Sequence, residues 1–147
     1  MNAETPIVVT AHDACPPEAA RVIDTDLGDY NDAAAPLHEV RPISAVARDA
    51  TGAVLGGAIG RRWGPCCELQ QLWVHEDLRG TGLGTRIAQQ FERHAAAHGC
   101  TVVLLETLSF QAPEFYKRLG YRIEHERTMY PHGVTKVFMT KTLAPAA

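Results

Sequence analysis

The apolar positions of this chain run first at the spacing of strands and then at the spacing of a helix. Ile43 to Asp49 (ISAVARD) alternates apolar and polar residues, as a half-buried strand does. Ala50-Thr51-Gly52 makes a tight turn, and Val54 to Arg62 (VLGGAIGRR) reads as a second strand. Its glycines weaken it and permit close approach of backbone or ligand. After a Trp63-Gly64-Pro65 turn, Cys66 to His75 returns as the third strand of a meander. Leu83, Ile87, Phe91 and Ala95 then recur every fourth position, which predicts a helix from Leu83 to about His98, closed by Gly99. Val102 to Glu106 (VVLLE) is a continuous apolar run, the mark of a strand covered on both faces. Strand, helix and buried strand form a βαβ unit, so a parallel pair is expected beside the antiparallel meander.

The flanks are read in the same way. Pro6 to Thr10 (PIVVT) predicts a first strand. Pro16 and Pro17 stand where a helix starts, and Ala19 to Asp32 is expected to be helical with Val22, Ile23 and Leu27 inward. Gly28 and Pro36 interrupt this region, and Ala33 to Val40 is a loop or a second short helix. Further on, Ser109 is placed to cap a short helix with Pro113 in its first turn and Gly120 at its end. Tyr121 to Met129 and Val134 to Leu143 read as two closing strands around Tyr130-Pro131-His132-Gly133. The fold class expected is α/β, one domain over residues 1–147, with a mixed antiparallel/parallel central sheet flanked by helices.

Between the third strand and the long helix stands Arg79-Gly80-Thr81-Gly82-Leu83-Gly84-Thr85. Glycines let the backbone approach a ligand and adopt angles that other residues avoid. The first amides of a helix lack intrahelical partners and carry partial positive charge, and Arg79 adds a full one. Such a turn suits a phosphate or pyrophosphate. It is not a Walker loop, because Gly84-Thr85 lacks the lysine, and Gly80, Gly82 and Gly84 do not have G-x-G-x-x-G spacing.

Composition narrows the class further. A chain of 147 residues with 46% hydrophobic and 21% charged residues is expected to be a soluble globular domain with a real core. The first eighteen residues show no basic leader and no long apolar run, so neither a signal peptide nor a membrane span is expected. Cys15, Cys66, Cys67 and Cys100 form no Cys-x-x-Cys pair and suit free thiols in the cytoplasm. The seven histidines lack ligand spacing, and no metal is expected. The net charge of −3 is uneven: residues 1–40 hold eight acids and one base, residues 41–147 nine acids and thirteen bases. The basic part contains the glycine loop, which suits an anionic cofactor, and the acidic part suits a cationic substrate or a solvated surface. No basic-aromatic surface points to nucleic acid.

Two motifs carry a family resemblance. Arg79, Gly82 and Gly84 fit Arg-x-x-Gly-x-Gly, preceded by Leu72-Trp73-Val74-His75-Glu76-Asp77-Leu78, and this resembles the acetyl-CoA loop of the GCN5-related N-acetyltransferases (GNAT). Glu76 departs from the proline frequent there, which changes turn stiffness more than ligand contacts. Ala112 to Tyr121, with Phe115-Tyr116 and Gly120-Tyr121, resembles the last conserved region of the same family. The resemblance covers residues 41–143 well and residues 1–40, the variable acceptor-side region of the family, only by element order. It implies the acyl-CoA N-acyltransferase fold.

It also implies roles. The amides of Arg79, Gly80, Thr81, Gly82, Leu83, Gly84 and Thr85 would hold the pyrophosphate of acetyl-CoA. Leu72, Trp73 and Val74 would present backbone groups to its pantetheine arm, with the Val74 amide on the acetyl carbonyl. Tyr116 would protonate the departing sulfur, and Ser109 would bond the arm or cap a helix. Glu68 and Glu106 are the candidates for the base that deprotonates the amine, ahead of His38 and His75. The implied function is acetyl transfer from acetyl-CoA to a primary amine of a small molecule in a ternary complex, and the acidic residues 1–40 favour a cationic one. The alternatives are a protein lysine or N-terminal acceptor, or a non-catalytic acyl-CoA sensor. The open edges of the closing strands allow a homodimer.

Overall fold

The computed structural model of the chain describes residues 5–145. It forms two compact units, one ending at His38 and one beginning at Glu39. The first contains helix α1, Pro17–Ala34, which starts with proline at its first position as the sequence reading expects. Two expectations fail here. Residues 6–10 form no strand, and Ile7, Val8 and Val9 lie exposed, because no neighbouring strand offers them a ladder. Val22, Ile23 and Leu27 are not inward either; each is more than half exposed, and α1 buries no residue.

The second unit is a six-stranded sheet carrying two helices. Its elements are β1 (Arg41–Arg48), β2 (Val54–Trp63), β3 (Cys66–Val74), α2 (Leu83–Ala97), β4 (Val102–Leu108), α3 (Pro113–Arg118), β5 (Arg122–Arg127) and β6 (Lys136–Thr142). The sheet order is β1-β2-β3-β4-β6-β5. The first three strands form the expected antiparallel meander, and β3 and β4 form the expected parallel pair. That pair is short: Cys66 to Leu69 faces Val102 to Leu105, and then the strands part. Gln70 stands at the parting point. Opposite β2, Leu69 pairs with Gly60 and Gln71 with Ile59, which leaves Gln70 as an extra residue. Such a bulge bends its strand and raises its twist, which turns β3 away from β4.

Helix α2 seats its expected face, Ile87, Phe91 and Ala95, on this sheet, each at most 4% exposed. The glycines of β2 make the seat. A methyl group on Gly56 would lie 2.9 Å from Ile87 Cδ1, and one on Gly60 would lie 2.8 Å from Phe91 Cζ and collide with the Glu68 carbonyl oxygen. The close approach expected at these glycines is therefore the approach of a helix. The C-terminal end of α2 closes in a Schellman motif, with Gly99 at φ +87°, its amide on the Ala96 carbonyl and the Cys100 amide on the Ala95 carbonyl.

Two further expectations change. In β4, Val103, Leu105 and Thr107 are buried, whereas Leu104 and Glu106 are not, so the apolar run is covered on one face only. Ser109 caps no helix. Ala112 holds the cap position of α3, and Ser109 Oγ instead accepts the Thr135 amide at 3.0 Å, tying the end of β4 to the start of β6.

Gly60→Ala is expected to destabilise the protein by about 3 kcal/mol, because the new methyl meets backbone that cannot yield. Adding Phe91→Leu restores none of this, since the obstacle is the Glu68 carbonyl. Urea unfolding of the two variants checks it; a loss within 0.5 kcal/mol, by the usual scale of a surface change, contradicts the seating.

Candidate active site

The turn before α2 is built by its own side chains. His75 Nδ1 accepts the Asp77 amide at 3.2 Å and caps the short 3₁₀ turn Glu76–Leu78. Thr81 Oγ1 donates to the Leu78 carbonyl at 2.6 Å. Arg79 Nε folds back onto the Val74 carbonyl at 3.1 Å, so this arginine braces the turn against the end of β3. Gly80 and Gly82 have φ of +77° and +87°, angles that strain other residues by about 1–2 kcal/mol. Gly84 is different. It lies inside the helix, and a methyl group there would only reach ordinary contact, 3.5 Å from the Phe115 ring and from Val74 Cγ2. The first intrahelical bond at this end is Arg86 N–H to the Gly82 carbonyl. The amides of Leu83, Gly84 and Thr85 therefore point out of the helix unpaired, at the positive end of its dipole.

A second set of free backbone groups lies beside the turn. The His75 amide bonds to the Leu55 carbonyl, and antiparallel ladders alternate. Trp73 therefore turns its backbone groups toward β2, and Leu72 and Val74 turn theirs toward the gap left by β4. Trp73 reaches the gap only with its side chain, which is half-exposed and edge-on to His75 at 6.1 Å.

These elements enclose a cleft of about 670 Å³. Leu72, Trp73, Val74, Arg79, Gly80, Gly82, Gly84 and Thr85 line it, so eight of the sequence-derived residues meet in one place. Thr81 and Leu83 are not on its wall: the first locks the turn, and the second packs against the core. Ser109 and Tyr116 are not on it either. Tyr116 is buried, edge-on to Phe115 and Tyr121, and burial pushes its phenol up to about 12, so it holds its proton at neutral pH. Leu78, Gln111, Ala112, Phe115 and Arg118 complete the wall. The sequence reading missed them as site residues, although Phe115 and Arg118 stand three apart and so share one stripe of α3.

Glu68 and Glu106 come together elsewhere. They line a cavity of about 220 Å³ with Leu104, Leu105, Glu124, Phe138 and Met139, where β3 and β4 part. Glu68 bonds Arg61 at 2.8 Å, and Glu106 lies 3.6 Å from Lys136. Glu124 joins them because β5 has its own irregularity between Ile123 and His125, and alternation alone does not reveal it.

The cleft and its loop are the features that the two sequence motifs anticipate. The sequence model of the acetyltransferase (GNAT) family matches residues 8–121. This chain belongs to that family and is an N-acetyltransferase of the acyltransferase class. Among its relatives is a blasticidin-S acetyltransferase of Streptomyces morookaense, 37% identical over 112 residues, which make up 74% of this chain and 82% of that protein. An acetyltransferase structure from Bacillus cereus superposes with a TM-score of 0.77 at 28% identity, over 91% of this chain and 98% of the other. A structure from Agrobacterium tumefaciens gives 0.83 at 23% identity, over 93% and 100%, and shares the fold. GNAT enzymes use acetyl-CoA. The free amides, the glycine angles and the cleft fit its phosphates and pantetheine arm. Among the described residues no cluster of three metal-ligating side chains occurs, and no helix is long and apolar enough to cross a membrane.

The two kinds of glycine predict different outcomes. Gly82→Ala is expected to weaken acetyl-CoA binding about tenfold, the equivalent of its backbone strain. Gly84→Ala is expected to stay within about twofold, because its methyl fits. Isothermal titration of both variants checks this; equal losses would show that conformation at Gly82 is not what the loop needs.

Proposed function

We propose that this enzyme transfers the acetyl group of acetyl-CoA to a primary amine of a small, cationic molecule, by direct attack in a ternary complex. The observation that carries this reading is the parting of β3 and β4, with the loop-lined cleft along the free part of β3 and the carboxylate-lined cavity at the fork. The likeness to a relative named for acetylating blasticidin-S supports a small-molecule acceptor.

The chain's own groups divide the work. The amides of Leu83, Gly84 and Thr85, with the backbone at Gly80 and Gly82, hold the pyrophosphate. Leu72 pairs with the pantetheine arm. The Val74 amide polarises the acetyl carbonyl, an oxyanion contact worth roughly 3 kcal/mol. An alkyl amine of pKa ~10.4 must lose a proton first, at a cost of about 4.6 kcal/mol at pH 7. Glu106, on its longer contact to Lys136, is the base, and Glu68, bonded to Arg61, gives the pocket its charge. The amine nitrogen attacks the carbonyl carbon and the carbon–sulfur bond breaks; the Tyr116 phenol, buried edge-on to Phe115 and off the cleft wall, is the proton donor that the family motif assigns to the thiolate. Proton return from the acceptor amine restores the phenol.

Thiol release from acetyl-CoA is the test, against polyamines, aminoglycosides, amino acids and lysine peptides. Release is expected with small cationic amines. Tyr116→Phe is expected to lower kcat about 10²–10⁴-fold at unchanged acetyl-CoA affinity. Turnover of lysine peptides alone would move the acceptor to protein, and binding without any turnover would leave a sensor.

A further inference from the structure

We infer that Arg118 is a phosphate-binding residue of the acetyl-CoA cleft. The inference rests on the reading of the cleft as the acetyl-CoA site and adds a cation that neither motif names. Arg118 is exposed at the end of α3 and lines the cleft together with Phe115. Phe115 fixes that helix against the loop, since its ring lies 3.5 Å from where a Gly84 methyl would be. One turn further on, Arg118 stands on the same stripe of α3. Its neighbour Lys117 is occupied by Glu114 at 3.0 Å, whereas the Arg118 guanidinium has no salt-bridge or hydrogen-bond partner among the described residues.

The loop itself brings one full charge. Arg79 directs Nε to the Val74 carbonyl, and the helix amides carry only partial charges. No carboxylate lines this cleft. A ligand with a pyrophosphate and a 3′-phosphate brings several negative charges to it. A guanidinium matches phosphate oxygens with two parallel donors, and such charge-assisted bonds are stronger than those of neutral amides. The cleft therefore carries full positive charge on two walls: Arg79 beside the amides of the turn, and Arg118 from α3.

The experiment titrates wild type, Arg118→Lys and Arg118→Gln with CoA and with 3′-dephospho-CoA. Arg118→Gln is expected to bind CoA at least about tenfold more weakly than wild type, with Arg118→Lys between them. Unliganded melting temperature is unchanged, since the side chain is exposed and unpartnered. A loss seen with CoA and absent with 3′-dephospho-CoA supports a contact to the 3′-phosphate; a loss seen with both supports the pyrophosphate. Equal affinities of Arg118→Gln and wild type for both ligands would overturn the inference and leave the cleft reading intact. A wild-type protein that binds neither ligand would overturn the cleft reading and this inference with it.

Discussion

Strands β3 and β4 remain paired for four residues and then separate, and the active site depends on that separation. The cause is local. Gln70 is one residue too many for the ladder with β2, and it follows the last pair with β4. A bulge there bends β3 and leaves Leu72 and Val74 with backbone groups that no strand takes up. Buried or half-buried backbone groups need partners. In the proposed complex the pantetheine arm supplies them, apart from the Val74 carbonyl, which Arg79 already holds. The same event opens the fork at which Glu68, Glu106 and Glu124 meet.

The position of the loop follows from packing. Because β2 carries glycine at 56 and 60, α2 settles close to the sheet through Ile87 and Phe91. Its N-terminal end then lies beside Val74, and Arg79 and Thr81 fix the turn that leads into it. A partly buried pair, Lys141 Nζ to Glu92 Oε1 at 2.7 Å, ties the middle of α2 to β6. The catalytic geometry therefore rests on rigid elements, and only the two glycines of positive φ are conformational necessities of the loop.

Much of this was legible in the chain. Period-two and period-four spacing located β1 and α2, Gly99 and Gly120 marked helix ends, and Arg79-Gly80-Thr81-Gly82 announced the loop. What failed were statements about partners. Ile7 to Val9 and Val22, Ile23 and Leu27 of α1 are apolar yet exposed, because an apolar pattern does not itself say what a residue packs against. Leu104 was read as buried on the strength of an apolar run, although one face of β4 remains open. Ser109 has the chemistry of a cap, but the Thr135 amide, far away in sequence, takes its hydroxyl. Glu124 and Gln70 owe their positions to irregular pairing, which alternation patterns do not encode.

In the proposed complex acetyl-CoA lies along the free part of β3 with its phosphates on the loop before α2. Amide hydrogen–deuterium exchange, measured with and without saturating acetyl-CoA, tests it most directly. Slowed exchange is expected at Leu72 and Val74 and from Gly80 to Thr85, with unchanged exchange at β1 and β5. Protection absent from both the loop and the free part of β3, in protein shown to bind acetyl-CoA, would contradict it.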